Sequence, residues 1–383
     1  MSEPRSNFRF WRDAIQGVLL WLLVFVLLSL VVVFAANGFR PVPPAPAPAA
    51  PAPLPEPVVV GADGVGRFGG WVRDEAAIAA NLDPAVTLHF ERTPAGQVVR
   101  GDEDQFLWRA VRQAAGKAEP WYPNIDQKHV GECVGAGNKH GVDVAQAVQI
   151  VNGHPAEFKP VSAEAIYAFS RVEVGGGKIR GDGSVGAWAA QAVQRYGVLA
   201  MEKHGRFDLT THSPDLAREW GRTGVPDELE PTAAKHVVKS AALVKSWADV
   251  KRSIQQGYPV PVCSNVGFEG SRDRDGFIRA RGTWNHCMVL IGVRSGAREG
   301  AFCLNSWGDK VHTGPVWPAD APVAGFWIDA ATVERMVRQG DSFALSDVVG
   351  FPARTLPEFL IQAIPAERRL FARENAIEHP LAW

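Results

Sequence analysis

Residues 127–137 read QKHVGECVGAG, and this stretch decides how the rest of the chain is interpreted. Cys133 opens a segment in which Val142, Ala145 and Val148 recur at the spacing of a helix with one buried face. The first turn of a helix stabilises a thiolate, because its unpaired amide hydrogens and the helix dipole present positive charge there. A lone cysteine near glycines is usually inert, so this stretch alone makes Cys133 only a candidate nucleophile.

Two later stretches supply a candidate base and its partner. Residues 284–292 read WNHCMVLIG, where His286 leads into an apolar run that predicts a buried strand. Residues 301–308 read AFCLNSWG, where a short predicted strand ends at Asn305. After a tight turn, Asn305 could lie beside His286 on the neighbouring strand. In isolation, His286 is better explained as an ordinary core histidine.

The order of these residues along the chain resembles that of the papain-like cysteine peptidases. His286 follows Cys133 by 153 residues and Asn305 follows His286 by 19, close to the spacing described for that family. Gln127 matches the family's oxyanion-hole glutamine, and Gly131 matches the glycine two residues before its nucleophile. The Asn-Ser-Trp-Gly sequence that begins at Asn305 matches the family motif in full and is the most specific signal in the chain.

This resemblance runs from about Trp121 to about Gly350. It implies an α+β, papain-like two-lobe fold with a helical left lobe, a β-barrel right lobe and a cleft between them. Residues 162–171 and 187–198 are similar to helices of the family's left lobe and cleft, and residues 244–254 resemble the helix that opens its barrel lobe.

The resemblance also implies a role for each residue at the cleft. His286 would take the proton of Cys133 to give a thiolate–imidazolium pair, and Asn305 would orient the imidazole through its amide oxygen. The Gln127 side chain and the Cys133 amide would donate to the oxyanion that forms when the thiolate attacks a peptide carbonyl. Trp307 would shield the hydrogen bond between the histidine and the asparagine from water.

A substrate pocket is implied in the same way. Its walls combine glycines, small sulfur side chains and an indole without any charged group, which predicts a preference for aliphatic or aromatic substrate side chains over lysine or arginine. Cys263 and Cys287 could also pair as a disulfide in an oxidising compartment. By motif matching the pocket residues are Gly181, Gly183, Cys263, Trp284, Asn285 and Cys287.

Three positions around the nucleophile depart from the family's usual Cys-Gly-Ser-Cys-Trp sequence. Val130 removes a disulfide partner, and Val134 replaces the tryptophan. Glu132 places a carboxylate next to Cys133, which would raise the pKa of the thiol if the side chain points inward. No family-type propeptide motif precedes the domain, so the sequence does not predict zymogen control.

The N-terminal region predicts a membrane anchor. Residues 17–36 read GVLLWLLVFVLLSLVVVFAA, which as a helix is long enough to span the roughly 30 Å hydrocarbon core. A cleaved signal peptide is the alternative, but its apolar core is usually about 7–15 residues long. Arg5, Arg9 and Arg12 precede the run and only Arg40 follows closely. The positive-inside rule therefore places the N-terminus in the cytoplasm and the catalytic domain outside it, as in a single-pass protein of a bacterial cell membrane.

Two segments separate the anchor from the peptidase-like region. Residues 41–57 read PVPPAPAPAAPAPLPEP, which favours an extended, semi-rigid polyproline II spacer. Residues 86–99 alternate apolar and polar residues around a turn and predict a hairpin. The predicted parts are a cytoplasmic N-terminus (1–13), a transmembrane helix (14–37), a Pro/Ala-rich linker (38–57), an accessory or prodomain-like segment (58–118), the papain-like domain (119–352) and a C-terminal extension (353–383).

Composition narrows the classes of function. The 40 Lys and Arg residues balance the 41 Asp and Glu residues, which argues against a nucleic-acid binder. The four cysteines form no CxxC pair, so an all-cysteine zinc site is excluded, and we expect no cofactor. The expected partners are a peptide or protein substrate and the membrane. A different acyl transfer at Cys133, as in an amidase or ligase, and a catalytically inactive binding module remain as alternatives to a peptidase.

Overall fold

The computed structural model describes residues 69–119 and 121–363. The predicted transmembrane helix, the linker and most of the predicted C-terminal extension lie outside these residues. Within the described part of the chain, no helix combines the length and the apolar composition that a membrane span needs.

Four helices in the described ranges begin at a residue whose side chain caps the first turn. The side chains of Asp74, Ser162, Ser213 and Ser246 each accept a hydrogen bond from the backbone amide three residues later, which satisfies one of the unpaired donors of a first turn. In chain order the helices are α1 (Glu75–Leu82), α2 (Trp108–Ala115), α3 (Cys133–Val151), α4 (Ala163–Phe169), α5 (Gly186–Arg195), α6 (Pro214–Thr223), α7 (Glu230–Ala233), α8 (Trp247–Gln255) and α9 (Ala330–Val337).

Antiparallel strands form the other part of this α+β fold. One sheet has the strand order β10-β1-β6-β7-β8, with β5 also paired to β6, while β2–β3 and β4–β9 form two small sheets. The strands are β1 (Glu103–Phe106), β2 (Lys203–His204), β3 (Phe207–Asp208), β4 (Ser240–Leu243), β5 (Val260–Phe268), β6 (Ala280–Arg294), β7 (Gly300–Leu304), β8 (Gly325–Asp329), β9 (Phe343–Ser346) and β10 (Ile361–Ala363).

The predicted β-barrel is not found among the described residues. β10 and β8 end the path of paired strands and do not pair with each other. Two strands share one edge of β6. β5 pairs with this edge up to Leu290, and β1 pairs with it from Gly292 onward. The sheet therefore forks at β6 instead of closing.

α3 lies between the helices and the sheet, and it is buried along most of its length. A Cβ atom at Gly137 would lie 3.0 Å from Sγ of Cys287 on β6, and one at Gly141 would lie 2.9 Å from the ring of Pro261 on β5. These two glycines therefore allow the helix to lie directly against both strands. This close contact places the N-terminus of α3 beside the middle of β6.

The segment predicted as accessory joins the same structure. β1 lies between β10 and β6 in the main sheet. The predicted hairpin over 86–99 is wrong, because Phe90–Arg92 and Ala95–Gln97 form two short 3₁₀ turns instead. Phe90 is completely buried, with its ring 5.5 Å from that of Phe351. The ring of Phe90 is therefore part of the core, whereas Val86, at the start of the predicted hairpin, stays exposed.

Candidate active site

Cys133 is the first residue of α3, and its side chain is completely buried. Its sulfur accepts a hydrogen bond from the backbone amide of Cys287, with the two atoms 3.3 Å apart. Because Cys287 directly follows His286 on β6, this contact joins the candidate nucleophile to the strand that carries the candidate base.

The structure places His286 beside Asn305. Nε2 of His286 lies 2.9 Å from Oδ1 of Asn305. A carbonyl oxygen can only accept a hydrogen bond, so Nε2 carries the ring proton and Nδ1 is the basic nitrogen. Within the described residues, Nδ1 of His286 has no hydrogen-bond partner. The ring is therefore held in the tautomer that can remove a proton through Nδ1.

The side chain of Asn305 is held from two further directions. Its Oδ1 also accepts from the amide of Ser306 at 2.8 Å, and its Nδ2 lies 3.1 Å from Nε2 of His312. An amide nitrogen only donates, so His312 accepts through Nε2 and fixes which way the carboxamide of Asn305 faces. The sequence does not reveal this role of His312, because the residue lies in a loop after β7 where no periodic pattern links it to Asn305.

Two tryptophans cover the imidazole of His286. The ring of Trp307 stacks on it, with centroids 4.3 Å apart and planes inclined by 27°. Trp284 in turn contacts Trp307, with centroids 4.7 Å apart, and both indoles are buried. One face of the imidazole, next to its hydrogen bond with Asn305, is therefore closed to water.

Gln127 connects the turn before the nucleophile to the residue after Asn305. Its Nε2 donates to the carbonyl of Val130 at 2.8 Å, and its Oε1 accepts from the hydroxyl of Ser306 at 2.6 Å. Its backbone amide also donates to the carbonyl of Ser306. The side chain is completely buried. Its role as an oxyanion donor stays a prediction, since one Nε2 hydrogen is already used by Val130.

Burial decides the protonation states of the nucleophile and the base. It raises the pKa of the Cys133 thiol well above its usual value, although the backbone amides of Cys287 and Gly70 offset part of the rise by donating to the sulfur. Burial also lowers the pKa of His286 to about 4, against a smaller opposite effect of the Asn305 hydrogen bond. The thiolate–imidazolium pair expected from the sequence is therefore disfavoured here, because these hydrogen bonds offset only part of the hydration that both charges would lose.

Residues 69–72 lie across the cleft beside the nucleophile. The amides of Gly70 and Trp71 both donate to the carbonyl of Asn285, at 3.1 and 2.9 Å. A Cβ atom at Gly70 would lie 1.9 Å from the carbonyl oxygen of Gly131, so no larger residue fits at this position. No sequence pattern indicates a role for this segment.

A glycine-containing loop holds the other side of this segment. The amide of Val72 donates to the carbonyl of Ser184, and the amide of Ser184 donates to the carbonyl of Gly70, each at 2.8 Å. Gly183 has a positive φ of 109°, and a Cβ there would lie 2.9 Å from the Gly70 oxygen. Of the two loop glycines predicted to bind substrate, Gly183 is therefore at the cleft, whereas Gly181 is exposed.

The side chain of Trp71 occupies the predicted substrate pocket. It belongs to the same buried cluster as Cys133, Cys263 and Cys287, and its Nε1 donates to Asp341 at 2.7 Å. The sequence did not predict this carboxylate, which reaches Trp71 from the turn after α9. The substrate pocket itself stays a prediction. Burial raises the pKa of Asp341 to about 6, against the opposing hydrogen bonds from Trp71 and from the first amides of α5.

Glu132 points inward, and a histidine balances its charge. Nε2 of His212 lies 2.9 Å from the Glu132 carboxylate, and Nδ1 lies 3.0 Å from that of Glu164. Burial alone would lower the pKa of His212, but the two carboxylates raise it to about 10. Burial raises the pKa of Glu132 to about 7 against the attraction of His212. Since His212 contacts two carboxylates, we assign this pair as charged at neutral pH, so Cys133 has no unpaired carboxylate beside it.

The arrangement contains the parts needed for acyl transfer through a thiol. It brings together a cysteine at a helix N-terminus, an imidazole with Nδ1 as its basic nitrogen, and amide donors near the sulfur. Within residues 69–119 and 121–363, no group of three or more His, Cys, Asp or Glu side chains is arranged to hold a metal ion.

The chain is similar in fold to solved structures of low sequence identity. Xylellain, a cysteine protease from Xylella fastidiosa, is 15% identical over 78% of this chain and 100% of that chain, with a TM-score of 0.49. Digestive procathepsin L 3 of the Tenebrio molitor larval midgut is 13% identical over 71% of this chain and 78% of that chain, with a TM-score of 0.42. proCathepsin B S9 from Trypanosoma congolense is 10% identical over 72% of this chain and 85% of that chain, with a TM-score of 0.45.

No family model and no curated protein sequence matches the chain. At TM-scores below 0.5, the geometry of the site carries the argument about function.

We expect His212→Gln to lower the free energy of unfolding by about 3–5 kcal/mol, because the variant leaves the Glu132 carboxylate buried without its cation. The folded-state pKa of His212 is raised from 6.5 to about 10. In the wild-type protein its contribution is therefore complete below pH 6.5 and is lost as the pH rises toward 10. Urea unfolding at pH 7 and pH 9 measures both effects.

The matched control is His129→Gln, because His129 is exposed and lies 4.0 Å from Asp215. It should leave the free energy of unfolding and its pH dependence unchanged. Equal stabilities of the two variants at pH 7 would show that the buried ion pair is assigned wrongly.

Proposed function

We propose that this chain is a cysteine peptidase acting through Cys133, His286 and Asn305, and that residues 69–72 hold it in a latent state. The observation that carries the proposal is the hydrogen bond from Nε2 of His286 to Oδ1 of Asn305. This bond leaves Nδ1 of His286 as the base. The next residue on the same strand, Cys287, contacts the Cys133 sulfur through its backbone amide.

Catalysis would begin when residues 69–72 leave the cleft and water and substrate enter. Solvation then lowers the cost of charge separation, and Nδ1 of His286 takes the thiol proton of Cys133. The thiolate attacks the substrate carbonyl, and the Cys133 amide and the Gln127 side chain donate to the oxyanion. His286 returns the proton to the leaving amine, and water then hydrolyses the thioester.

The contacts of residues 69–72 support latency. An extended peptide usually binds a protein through main-chain hydrogen bonds to both sides of a groove and through a side chain placed in a pocket. This segment uses the carbonyl of Asn285 on one side, Ser184 on the other, and the pocket filled by Trp71. A substrate that needs the same groups must displace the segment.

The same pocket suggests the class of substrate. It accepts a large aromatic side chain at the position of Trp71, and Asp341 provides a buried acceptor at its end. We propose that peptides with tryptophan at this position bind better than those with leucine, because leucine cannot replace the hydrogen bond that an indole donates to Asp341 and would leave this buried carboxylate with only its donors from within the domain.

We also propose that the peptidase is tethered to the membrane with its catalytic part outside the cytoplasm, on the evidence of the apolar run at residues 17–36 and the three arginines before it. A C-terminal fusion to a reporter enzyme that works only outside the cytoplasm should be active, whereas a fusion to a reporter that works only inside should be silent. The reverse pattern would exclude this orientation.

The function and its latency can be tested together with four versions of the full-length protein. Gly70→Val should displace residues 69–72, because its Cβ would meet the Gly131 carbonyl at 1.9 Å. The control is Gly101→Val, since a Cβ there meets nothing within 4 Å. Hydrolysis of a tryptophan-containing peptide should rise at least about tenfold in the Gly70→Val protein, and it should be unchanged in the control. Adding Cys133→Ala to Gly70→Val should abolish it.

Each failure has its own meaning. Activity that survives Cys133→Ala would exclude this nucleophile. Wild-type activity equal to that of the Gly70→Val protein would exclude latency but not the peptidase. A released Cys133 that acylates but passes the acyl group mainly to an added amine would indicate a ligase. Release without any reaction at Cys133 would indicate an inactive binding module.

A further inference from the structure

Two cysteines behind the nucleophile face each other across β5 and β6. Cys263 and Cys287 are direct partners in this antiparallel pair, and their sulfurs are 2.8 Å apart. Both are free thiols and both are buried. This separation is well below an ordinary contact between two sulfur atoms, whereas a disulfide needs about 2.05 Å.

The hydrogen bonds of the two backbones favour a cross-link. The amide of Cys263 donates to the hydroxyl of Ser342 at 3.2 Å, and the amide of Cys287 donates to the sulfur of Cys133. The two residues therefore do not exchange hydrogen bonds with each other. In antiparallel sheets such pairs have the closer spacing, with Cα atoms about 4.5 Å apart, which lies within the range that a disulfide spans.

We propose that Cys263 and Cys287 form a redox-active pair that becomes a disulfide in the wall of the substrate pocket. The reaction is an exchange with a small disulfide such as oxidised glutathione. A thiolate of the pair attacks the small disulfide and releases one small thiol, and the second thiolate then attacks the mixed disulfide and releases the other. The pair loses two electrons and two protons, and the small disulfide is reduced to two thiols.

The pairing matters for the nucleophile, because Cys287 has two cysteine neighbours. Its amide contacts Cys133, and its sulfur contacts Cys263. A Cys263–Cys287 disulfide leaves Cys133 as a free thiol, whereas a Cys133–Cys287 disulfide would block it. The sulfur of Cys303 instead contacts that of Met288, at 3.6 Å. The proposal does not depend on peptidase activity.

The test uses the full-length protein, first reduced and then incubated overnight with oxidised glutathione in moderate urea, so that β5 and β6 open transiently. Long incubation is needed because burial raises the pKa of the Cys263 thiol well above its usual value and slows exchange. After an acid quench, the protein is denatured, alkylated and digested. We expect the peptides of Cys263 and Cys287 to be cross-linked, and those of Cys133 and Cys303 to be alkylated.

Two variants complete the test. Cys263→Ser should abolish the cross-link, whereas the matched variant Cys303→Ser should retain it. Oxidation should raise the melting temperature of the wild-type and Cys303→Ser proteins by about 5 °C or more, and it should not do so in Cys263→Ser. Alkylation of all four cysteines after oxidation, or a cross-link that contains Cys133 or Cys303, would overturn the proposal.

Discussion

The hydrogen bond between Nε2 of His286 and Oδ1 of Asn305 is the interaction on which the chemistry of this site depends. It assigns the ring proton to Nε2 and leaves Nδ1 as the base. The pairing of β6 with β7 makes this contact possible, because Leu304 at the end of β7 lies opposite Val289 on β6, and the next residue then turns toward His286. His312 fixes the orientation of the Asn305 amide, so a change at any of these points would alter which nitrogen of His286 is basic.

A second constraint is the burial of the two reacting groups, Cys133 and His286. Residues 69–72 cover Cys133, and burial then favours the neutral thiol and the neutral imidazole of His286. The charge that remains next to the nucleophile, on Glu132, is paired with His212. The described structure therefore combines the geometry of the candidate site with protonation states that oppose thiolate formation. We propose that solvation of the cleft is the step that makes Cys133 reactive.

The sequence predicts the parts of this site that local patterns encode. The helix that begins at Cys133 follows from apolar periodicity, and the neighbourhood of His286 and Asn305 follows from two short strands joined by a tight connection. Contacts between distant segments leave no such pattern. Tertiary packing alone brings Asp341, His212 and residues 69–72 to the site from distant parts of the chain. The fork at β6 has no sequence signal for a similar reason. The pairing of β5 and β1 with different parts of one edge depends on strand lengths and registers, which hydrophobic periodicity does not specify.

One hydrogen bond sets the tautomer of His286, and burial keeps the ring neutral. The most direct measurement is ¹⁵N NMR of the full-length protein labelled at its histidines, with His286 assigned by comparison with a His286→Gln variant. We expect a ring protonated at Nε2 and unprotonated at Nδ1 at pH 7, which gains its second proton only near pH 4. A ring that carries its proton on Nδ1 at pH 7, or one that is already an imidazolium in the wild-type protein, would exclude this assignment.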